Sequence, residues 1–272
     1  MKLNKFNLNN KNVLITGAAG LLGYEHAFAL CETNANIIIT DINIKKLKLN
    51  QKKLEKKFKK KISVYHLDVS KKSSINKVLK NLNKNKIRVD ILINNAAIDP
   101  KPKTKLLSRL EDFKIKNWNQ EISVGLTGAF LCTQLFGTLM SKDNKGGVIL
   151  NIASDLSIIA PDQRIYTKLG INMEDQNVKP VTYSVIKHGL IGLTKYTATY
   201  WATKGIRCNA ISPGGVTNKV DKIFYNKVRK LVPMNRMANK NEYHSAIQFL
   251  CSDASSYMTG HNLVMDGGRS IW

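Results

Sequence analysis

The stretch VLITGAAGLLG, residues 13–23, decides the fold class of this chain. It begins as a short apolar segment, passes Gly17, Gly20 and Gly23, and continues into a helical pattern that extends to Leu30. In the order strand, glycine turn, helix, the glycines let the backbone approach a pyrophosphate, and the helix N-terminus offers N–H groups and a positive dipole end. The stretch therefore predicts a dinucleotide-binding turn.

Further apolar segments alternate with helical patterns along the rest of the chain. Each segment is a nearly continuous apolar run, which is typical of strands buried on both faces of a parallel sheet. We therefore predict an α/β fold with helices on both faces of the sheet. The other predicted strands are residues 35–40, 62–67, 89–93, 148–152, 206–211 and 262–265, and the later helices are residues 118–140, the segment beginning near Tyr183, and residues 239–251.

Polar or small residues stand where several predicted strands end. Ligands of parallel α/β sheets bind at the carboxyl ends of the strands, so this shared position predicts one ligand site along that edge. The clusters are the glycine turn, Asp41, Asp68, Asn94-Asn95-Ala96-Ala97 and Ser154.

Asp41 lies about twenty residues after the glycine turn, where an acid binds the adenosine ribose hydroxyls. A carboxylate there would repel a 2′-phosphate, which favours NAD over NADP. Because Asp41 also precedes a lysine-rich helix, it is alternatively an N-cap, and both roles are compatible. Lys45 and Lys46 leave room for NADP.

Tyr183 and Lys187 are four residues apart in a segment with helical periodicity, so they share one face. A tyrosine has a pKa of about 10 and is a poor acid–base catalyst at neutral pH, but an ammonium one turn away favours the phenolate and lowers that pKa. The pair is suited to moving a proton on or off an alcohol, although the same spacing also occurs on ordinary surface helices.

Length and composition limit the class of protein. With 272 residues, 43% of them hydrophobic, we expect a single domain over residues 1–272. Pro100 and Pro102 break the chain after the fourth strand, and the irregular segments 155–181 and 216–233 are predicted to be lid-like loops. No apolar run of spanning length and no signal peptide are visible, so we expect a cytoplasmic protein.

Cysteines and histidines give no sign of a disulfide framework or a metal site. The cysteines lack a C-x-x-C pair and the histidines lack ligand spacing, so scattered reduced thiols and no metal are expected. These residues are Cys31, Cys132, Cys208, Cys251, His26, His66, His188, His244 and His261.

The net charge of +24 raises the question of nucleic-acid binding. Many of the lysines fall in residues 45–61 and 71–86, where Leu47, Gln51, Leu54 and Phe58 mark one inner face. Lysines therefore fill a solvated helix surface, and no DNA-binding motif accompanies them. We expect a small-molecule partner and neither nucleic acid nor membrane.

Taken in order, these motifs resemble those of the short-chain dehydrogenase/reductase family over essentially the whole chain. The resemblance is carried by TGAAGLLG (16–23), Asp41, Asp68-Val69, NNAA (94–97), Ser154, YSVIK (183–187), SPGG (212–215) and MTGHNLVMDGG (258–268). The family implies a Rossmann-type, doubly wound sheet of seven parallel strands. It also implies hydride transfer between a substrate carbon and NAD(P), usually in a homodimer or homotetramer formed through helices 118–140 and 183–203.

The resemblance also implies residue roles. Tyr183 is the proton donor or acceptor, Lys187 lowers its pKa and holds the nicotinamide ribose, and Ser154 hydrogen-bonds the reacting oxygen. The cofactor-binding residues expected on this basis are Gly17, Gly20, Leu21, Leu22, Gly23, Asp41, Asp68, Val69, Asn95, Ala96, Ala97, Tyr183, Lys187, Pro213, Gly214 and Val216.

Two departures from the family pattern stand out. Leu21 replaces the middle glycine of the usual Gly-x-x-x-Gly-x-Gly loop, which gives the spacing of the family's longer, nucleotide-sugar-modifying members. Gly125 stands where the family places an asparagine that anchors a water chain to the catalytic lysine. The second departure puts the usual proton relay in question, and a different water path, Ser123 or a lid residue would have to replace it.

A closer resemblance, to oxidoreductases of surface-glycan pathways such as flagellin modification and legionaminic-type sugar synthesis, is carried by NNAAIDPK, NIASDLSIIAPDQRIY and DGGRSIW. It implies a sugar substrate, phosphorylated or nucleotide-linked, with Asp155 and Gln163 for hydroxyls and Arg164 for an anionic group. Arg164 is equally an ordinary loop charge. The alternatives are a reductase of 3-oxoacyl thioesters or small alcohols and, from another class, a cofactor-binding regulatory protein without turnover.

Overall fold

A computed structural model describes residues 4–98, 108–218 and 220–272. Its centre is one sheet of seven strands in the order β3-β2-β1-β4-β5-β6-β7, and every neighbouring pair is parallel. The strands are β1 Asn12–Ile15, β2 Asn36–Asp41, β3 Ser63–His66, β4 Ile91–Asn94, β5 Gly147–Ile152, β6 Ile206–Pro213 and β7 Asn262–Met265. The predicted doubly wound, Rossmann-type sheet is confirmed.

Helices cover both faces of this sheet. They are α1 Leu21–Cys31, α2 Ile44–Phe58, α3 Lys72–Lys84, α4 Ile115–Ile122, α5 Gly128–Lys142, α6 Val181–Tyr200, α7 Lys222–Arg229 and α8 His244–Cys251. A π-helical turn, Ser123–Thr127, joins α4 to α5. Apolar residues of each strand alternate between two cores, so that Val13 and Ile15 pack with α1 and α8 whereas Leu14 packs with α3 and α5.

The helix predicted over residues 239–251 begins five residues later in the structure. The structure starts α8 at His244, because residues 239–243 form a turn in which Glu242 accepts a hydrogen bond from the Asn239 N–H and pairs with Arg236. The irregular segment 155–181 contains three short 3-10 helices, and the segment 216–233 contains α7. The predicted break at Pro100 and Pro102 lies outside the described residues.

In the described part of the chain, one helical stretch, Ile115–Lys142, has the length and hydropathy of a membrane-spanning helix. Within it, Cys132, Phe136 and Met140 are fully buried in the core beside the sheet. Packing of α5 in the core therefore accounts for the apolar composition of this stretch. The lysines of α2 point outward while Leu47 and Leu54 face the core, as expected of a solvated surface helix.

Candidate active site

The glycine turn after β1 has the geometry that its sequence predicts. Gly17 has a φ of +66°, a conformation that favours glycine, and a Cβ there would lie 2.7 Å from the Cα of Ala96. A Cβ at Gly23 would lie 2.5 Å from the carbonyl oxygen of Gly17. α1 begins at Leu21, and no side chain caps its N-terminus. The first N–H groups of α1 are therefore not satisfied by a capping side chain and can bind a ligand. The close contacts at Gly17 and Gly23 mean that the turn admits no larger residue at these two positions.

Asn95 ties this turn to the end of β4. Its side-chain amide donates to the carbonyl oxygens of Thr16, at 2.9 Å, and Gly17, at 3.1 Å. The hydroxyl oxygen of Thr16 accepts in return from the backbone N–H groups of Asn95 and Ala96. These four hydrogen bonds hold the two loops together, so Asn95 has a structural role beside the cofactor contact predicted for it.

Asp41 is the last residue of β2, and its carboxylate is held by two backbone groups. Oδ2 accepts from the Ala19 N–H at 3.0 Å, and Oδ1 accepts from the Asn43 N–H at 2.7 Å. The N-cap of α2 is Asn43, whose side chain accepts from the Lys46 N–H. The alternative role of Asp41 as the cap of this helix is therefore wrong, and the carboxylate instead faces the space beside the glycine turn.

Asp68 and Val69 follow β3 at the same edge. The Asp68 carboxylate accepts from the N–H and the hydroxyl of Ser70, and Lys71 Nζ lies 3.5 Å away. Burial alone would raise the pKa of Asp68, but the hydrogen bonds from Ser70 and Lys71 outweigh it and lower the pKa. Val69 packs so closely on α5 that a Cβ at Gly128 would lie 2.7 Å from its Cγ2.

These residues enclose a cavity of about 610 Å³ along the strand ends. A dinucleotide fits the features present: glycines that leave backbone room, an uncapped helix N-terminus for a pyrophosphate, and a carboxylate for ribose hydroxyls. The predicted residues that line this cavity are Gly17, Gly20, Leu21, Leu22, Gly23, Asp41, Asp68, Val69, Asn95, Ala96 and Ala97.

A second cavity, of about 380 Å³, adjoins the first, since Leu21, Leu22, Asn95 and Ala97 line both. We refer to it as the reaction cleft. It contains the remaining predicted cofactor residues and all three predicted catalytic side chains. Those lining residues are Ser154, Tyr183, Lys187, Pro213, Gly214 and Val216, and the predicted substrate residue Asp155 lines the cleft as well.

Ser154 is positioned by its neighbour in the chain. Its hydroxyl donates to Oδ1 of Asp155 at 2.8 Å, and the Leu156 N–H donates to both side chains. Oδ2 of Asp155 accepts from Nη1 of Arg269 at 2.8 Å. Asp155, predicted as a ligand for sugar hydroxyls, thus has both carboxylate oxygens in hydrogen bonds within the protein.

Lys187 anchors α6 to the sheet. Its Nζ donates to the carbonyl oxygen of Ile152, the last residue of β5, at 2.7 Å and lies 5.7 Å from the centre of the Tyr183 ring. Lys187 is 6% exposed, so this ammonium is almost fully withdrawn from water. The sequence therefore brings a hydroxyl, a phenol and an ammonium into one cleft from β5 and α6.

Gly125 lies in the π-helical turn, beside α6. A Cβ there would be 2.8 Å from Cγ2 of Ile186, the residue before Lys187. The space that an asparagine side chain would need is filled by Ile186. Thr182, at the start of α6, donates a hydrogen bond to the buried Glu121 of α4, which adds a second link between these helices.

The two other predicted substrate residues lie outside the reaction cleft. Arg164 is 86% exposed at its side chain and pairs with Asp162 at 2.7 Å. Gln163 uses its side-chain oxygen to accept the Lys179 N–H at 2.8 Å. Lys179 itself lines the cleft, although the sequence analysis did not predict it as a site residue. It lies four residues before Tyr183, as Lys187 lies four residues after it.

Among the described residues, no three His, Cys, Asp or Glu side chains converge where a metal ion could bind. The four cysteines are buried and unpaired, and burial raises the pKa of each thiol to about 12.

Comparisons with known proteins agree with this arrangement over nearly the whole chain. A family model described as enoyl-(acyl carrier protein) reductase matches residues 17–270. The chain is 30% identical to the NAD-dependent glycerol dehydrogenase of Listeria innocua, over 98% of this chain and 96% of that protein. It is 33% identical to the 2-dehydro-3-deoxy-D-gluconate 5-dehydrogenase of Bacillus subtilis, over 97% of this chain and 96% of that protein.

One solved structure adds information on ligands. It is a gluconate 5-dehydrogenase from Burkholderia cenocepacia J2315 in complex with NADP and tartrate, which has 26% sequence identity to this chain. The two structures superpose with a TM-score of 0.85, over 99% of both chains.

Proposed function

The chain belongs to the short-chain dehydrogenase/reductase family, and from this premise we propose that it is an NAD-dependent oxidoreductase acting on a hydroxyl or ketone carbon of a sugar. The observation that carries the proposal is the meeting of Ser154, Tyr183 and Lys187 in a cleft that adjoins the cavity of the glycine turn. The nicotinamide, when bound, supplies the acceptor or donor of hydride.

In this mechanism Tyr183 takes the proton of the substrate hydroxyl, or returns it in the reverse direction. Lys187 favours the phenolate of Tyr183, because an ammonium on the same helix face stabilises a nearby negative charge. Ser154 hydrogen-bonds the reacting oxygen. In the structure the Ser154 hydroxyl donates to Asp155 at 2.8 Å, so it would rotate toward the substrate to donate to the reacting oxygen, which leaves the substrate hydroxyl hydrogen for Tyr183.

The preference for NAD rests on Asp41. Its carboxylate lines the cofactor cavity and is fixed by the Ala19 and Asn43 N–H groups, so a 2′-phosphate would meet an immobile negative charge. NADH should bind more tightly than NADPH in a nicotinamide fluorescence titration. Asp41→Ala should narrow that difference, whereas tighter NADPH binding by the unaltered protein would overturn the assignment.

A sugar derivative as substrate is supported by the names of relatives, which act on glycerol and on a sugar acid. We place the reaction in surface-glycan biosynthesis on the resemblance of residues 151–166 and 266–272 to enzymes of those pathways. The segments 155–181 and 216–233, from which Ile165, Tyr166, Phe224 and Val228 reach the cleft, would serve as lids over the substrate. A reductase of acyl thioesters is the alternative, favoured by the description of the matching family model.

We also infer a cytoplasmic homodimer or homotetramer. The outer face of α5 and α6 carries exposed apolar side chains, among them Phe130 (45% exposed), Tyr196 (66%) and Tyr200 (63%). Large exposed apolar side chains of this kind favour an interface on these helices. Sedimentation of the full chain would test this assembly.

The decisive experiment is a screen of phosphorylated, acidic, neutral and nucleotide-linked sugars for NADH production or consumption. Tyr183→Phe should abolish turnover of any substrate found while leaving NADH binding largely intact. Tyr200→Phe, an exposed tyrosine at the far end of the same helix, is the matched control and should retain turnover. Unchanged activity in Tyr183→Phe would remove the proton-transfer role.

A further inference from the structure

A second ammonium group lies against the tyrosine of the reaction cleft. Nζ of Lys179 is 3.7 Å from the centre of the Tyr183 ring, whereas Nζ of Lys187 is 5.7 Å from it. Lys179 therefore lies closer to the aromatic ring than the lysine of the Tyr-x-x-x-Lys pair does. At this distance a cation is attracted to the ring and stabilises negative charge that develops on the phenol.

The position of the Lys179 backbone is fixed by two neighbouring residues. It is followed by Pro180, the N-cap of α6, whose ring restricts the backbone at the entry to the helix. The Lys179 N–H donates to the side-chain oxygen of Gln163 at 2.8 Å. Lys179 is half-buried, so its charge is screened by water less than that of a surface lysine.

The other charged and titratable groups of the cleft are already engaged or lie elsewhere in it. Asp155 and Arg269 pair with each other, and Lys187 donates to the Ile152 carbonyl oxygen. Tyr166 lines the cleft from the segment before α6. A neighbouring cavity, which Lys179 also lines, contains Arg109 and Glu111, which pair with each other at 3.0 Å.

We propose that Lys179 is a second cation for Tyr183, which stabilises its phenolate form together with Lys187. The proposal rests on the proposed function, because it assigns Lys179 to the proton-transferring tyrosine of that site. Lys179 acts through Tyr183 and is thus a positioning residue. Because two ammonium groups flank the phenol, each contributes to holding Tyr183 ready to accept a proton from an alcohol.

The test uses the whole chain and requires neither substrate nor cofactor. Tyrosinate absorbance is titrated against pH in the unaltered protein and in Tyr183→Phe, and their difference isolates the titration of Tyr183. The same difference is measured between Lys179→Met and the double variant Lys179→Met/Tyr183→Phe. An opposite charge at this range lowers a pKa by about one unit or more, so its removal should raise the Tyr183 midpoint by about one pH unit.

Two further variants separate charge from packing. Lys179→Arg should keep the midpoint near that of the unaltered protein, because it retains the charge. Lys195→Met removes an exposed lysine of α6 and controls for the general change in net charge. Far-ultraviolet circular dichroism checks that each variant folds, and Lys179→Gln replaces Lys179→Met if the latter does not.

An unchanged Tyr183 midpoint on loss of the Lys179 charge, or a shift as large in Lys195→Met, would overturn the proposal. This outcome is independent of the turnover screen. A shifted midpoint with no turnover of any sugar would support Lys179 while removing the proposed substrate class. Turnover of a sugar with an unchanged Tyr183 midpoint would support the proposed substrate class and remove the role of Lys179.

Discussion

Arg269, near the C-terminus, donates a hydrogen bond at 2.8 Å to Asp155, which follows Ser154 at the end of β5. Both side chains are almost withdrawn from water, at 9% and 5% exposure. The other oxygen of the carboxylate accepts from the Ser154 hydroxyl. Arg269, which lines the reaction cleft itself, is therefore connected through the Asp155 carboxylate to Ser154.

Removing one partner of this buried pair should destabilise the protein strongly. Arg269→Met leaves the Asp155 carboxylate buried without a counter-charge, which costs roughly 3–5 kcal/mol of unfolding free energy in comparable pairs. Arg269→Met/Asp155→Asn should cost less than Arg269→Met alone, because the neutral amide needs no counter-charge and still accepts from Ser154. Urea denaturation measures both changes.

The matched control for that prediction is Arg236→Met. Arg236 pairs with Glu242, but the two side chains are 39% and 36% exposed, so the loss of unfolding free energy should be much smaller than that in Arg269→Met. Equal losses for Arg236→Met and Arg269→Met, or no recovery in the double variant, would contradict the view that Asp155 depends on Arg269.

The strands and the glycine turn were predictable because their signals are local. Apolar runs, Gly17 and the polar residues at strand ends each report on their own few residues, and parallel pairing then places them along one edge. The Asp155–Arg269 pair gave no such signal, since its members are separated by most of the second half of the chain. Asp155 was consequently expected to contact substrate, whereas it holds Ser154 and Arg269.

Loop positions were the least predictable for the same reason. The sequence around Gln163 does not indicate that its side-chain oxygen accepts a hydrogen bond from the Lys179 N–H and that the side chain therefore does not line the cleft. At Asp41 the sequence left two roles open, and only the observed cap, Asn43, decides against one of them. Lys179 carried a usable signal, its spacing from Tyr183, that was not recognised.

Restoring the family asparagine at Gly125 should not restore a proton relay. The new side chain would begin 2.8 Å from Cγ2 of Ile186, which is 6% exposed and adjoins Lys187. Overpacking of this kind costs roughly 1–3 kcal/mol, so we expect Gly125→Asn to lower the unfolding free energy by that amount. Ile186→Ala removes the obstructing atoms, and Gly125→Asn should therefore cost less in that background.

A double-mutant cycle in urea measures this coupling between Gly125 and Ile186, expected at about 1 kcal/mol or more. Gly192→Asn is the control, because a Cβ at Gly192 meets no atom within 4 Å. If the cost of Gly125→Asn is the same with and without the Ile186 side chain, then steric exclusion does not explain the glycine.

A further prediction concerns His26, which lies on α1 inside the core between α1 and α8. It is 2% exposed, and neither ring nitrogen has a hydrogen-bond partner among the described residues. Burial, and secondarily the charge of the nearby His244, lower the pKa of His26 to about 3. The folded protein thus keeps this ring neutral at a pH where an unfolded chain would protonate it.

The sign of the pH effect follows from proton binding. Between the unfolded pKa of about 6.5 and the folded pKa of about 3, only the unfolded state binds the proton, so stability falls as the pH falls. At pH 5 this contribution is on the order of 2 kcal/mol relative to pH 7. His26→Leu removes the titrating ring and with it this pH-dependent contribution. The difference in unfolding free energy between His26→Leu and the unaltered protein should therefore change by about 2 kcal/mol between pH 7 and pH 5. Parallel pH profiles for His26→Leu and the unaltered protein would mean that His26 finds a partner for its proton inside the fold.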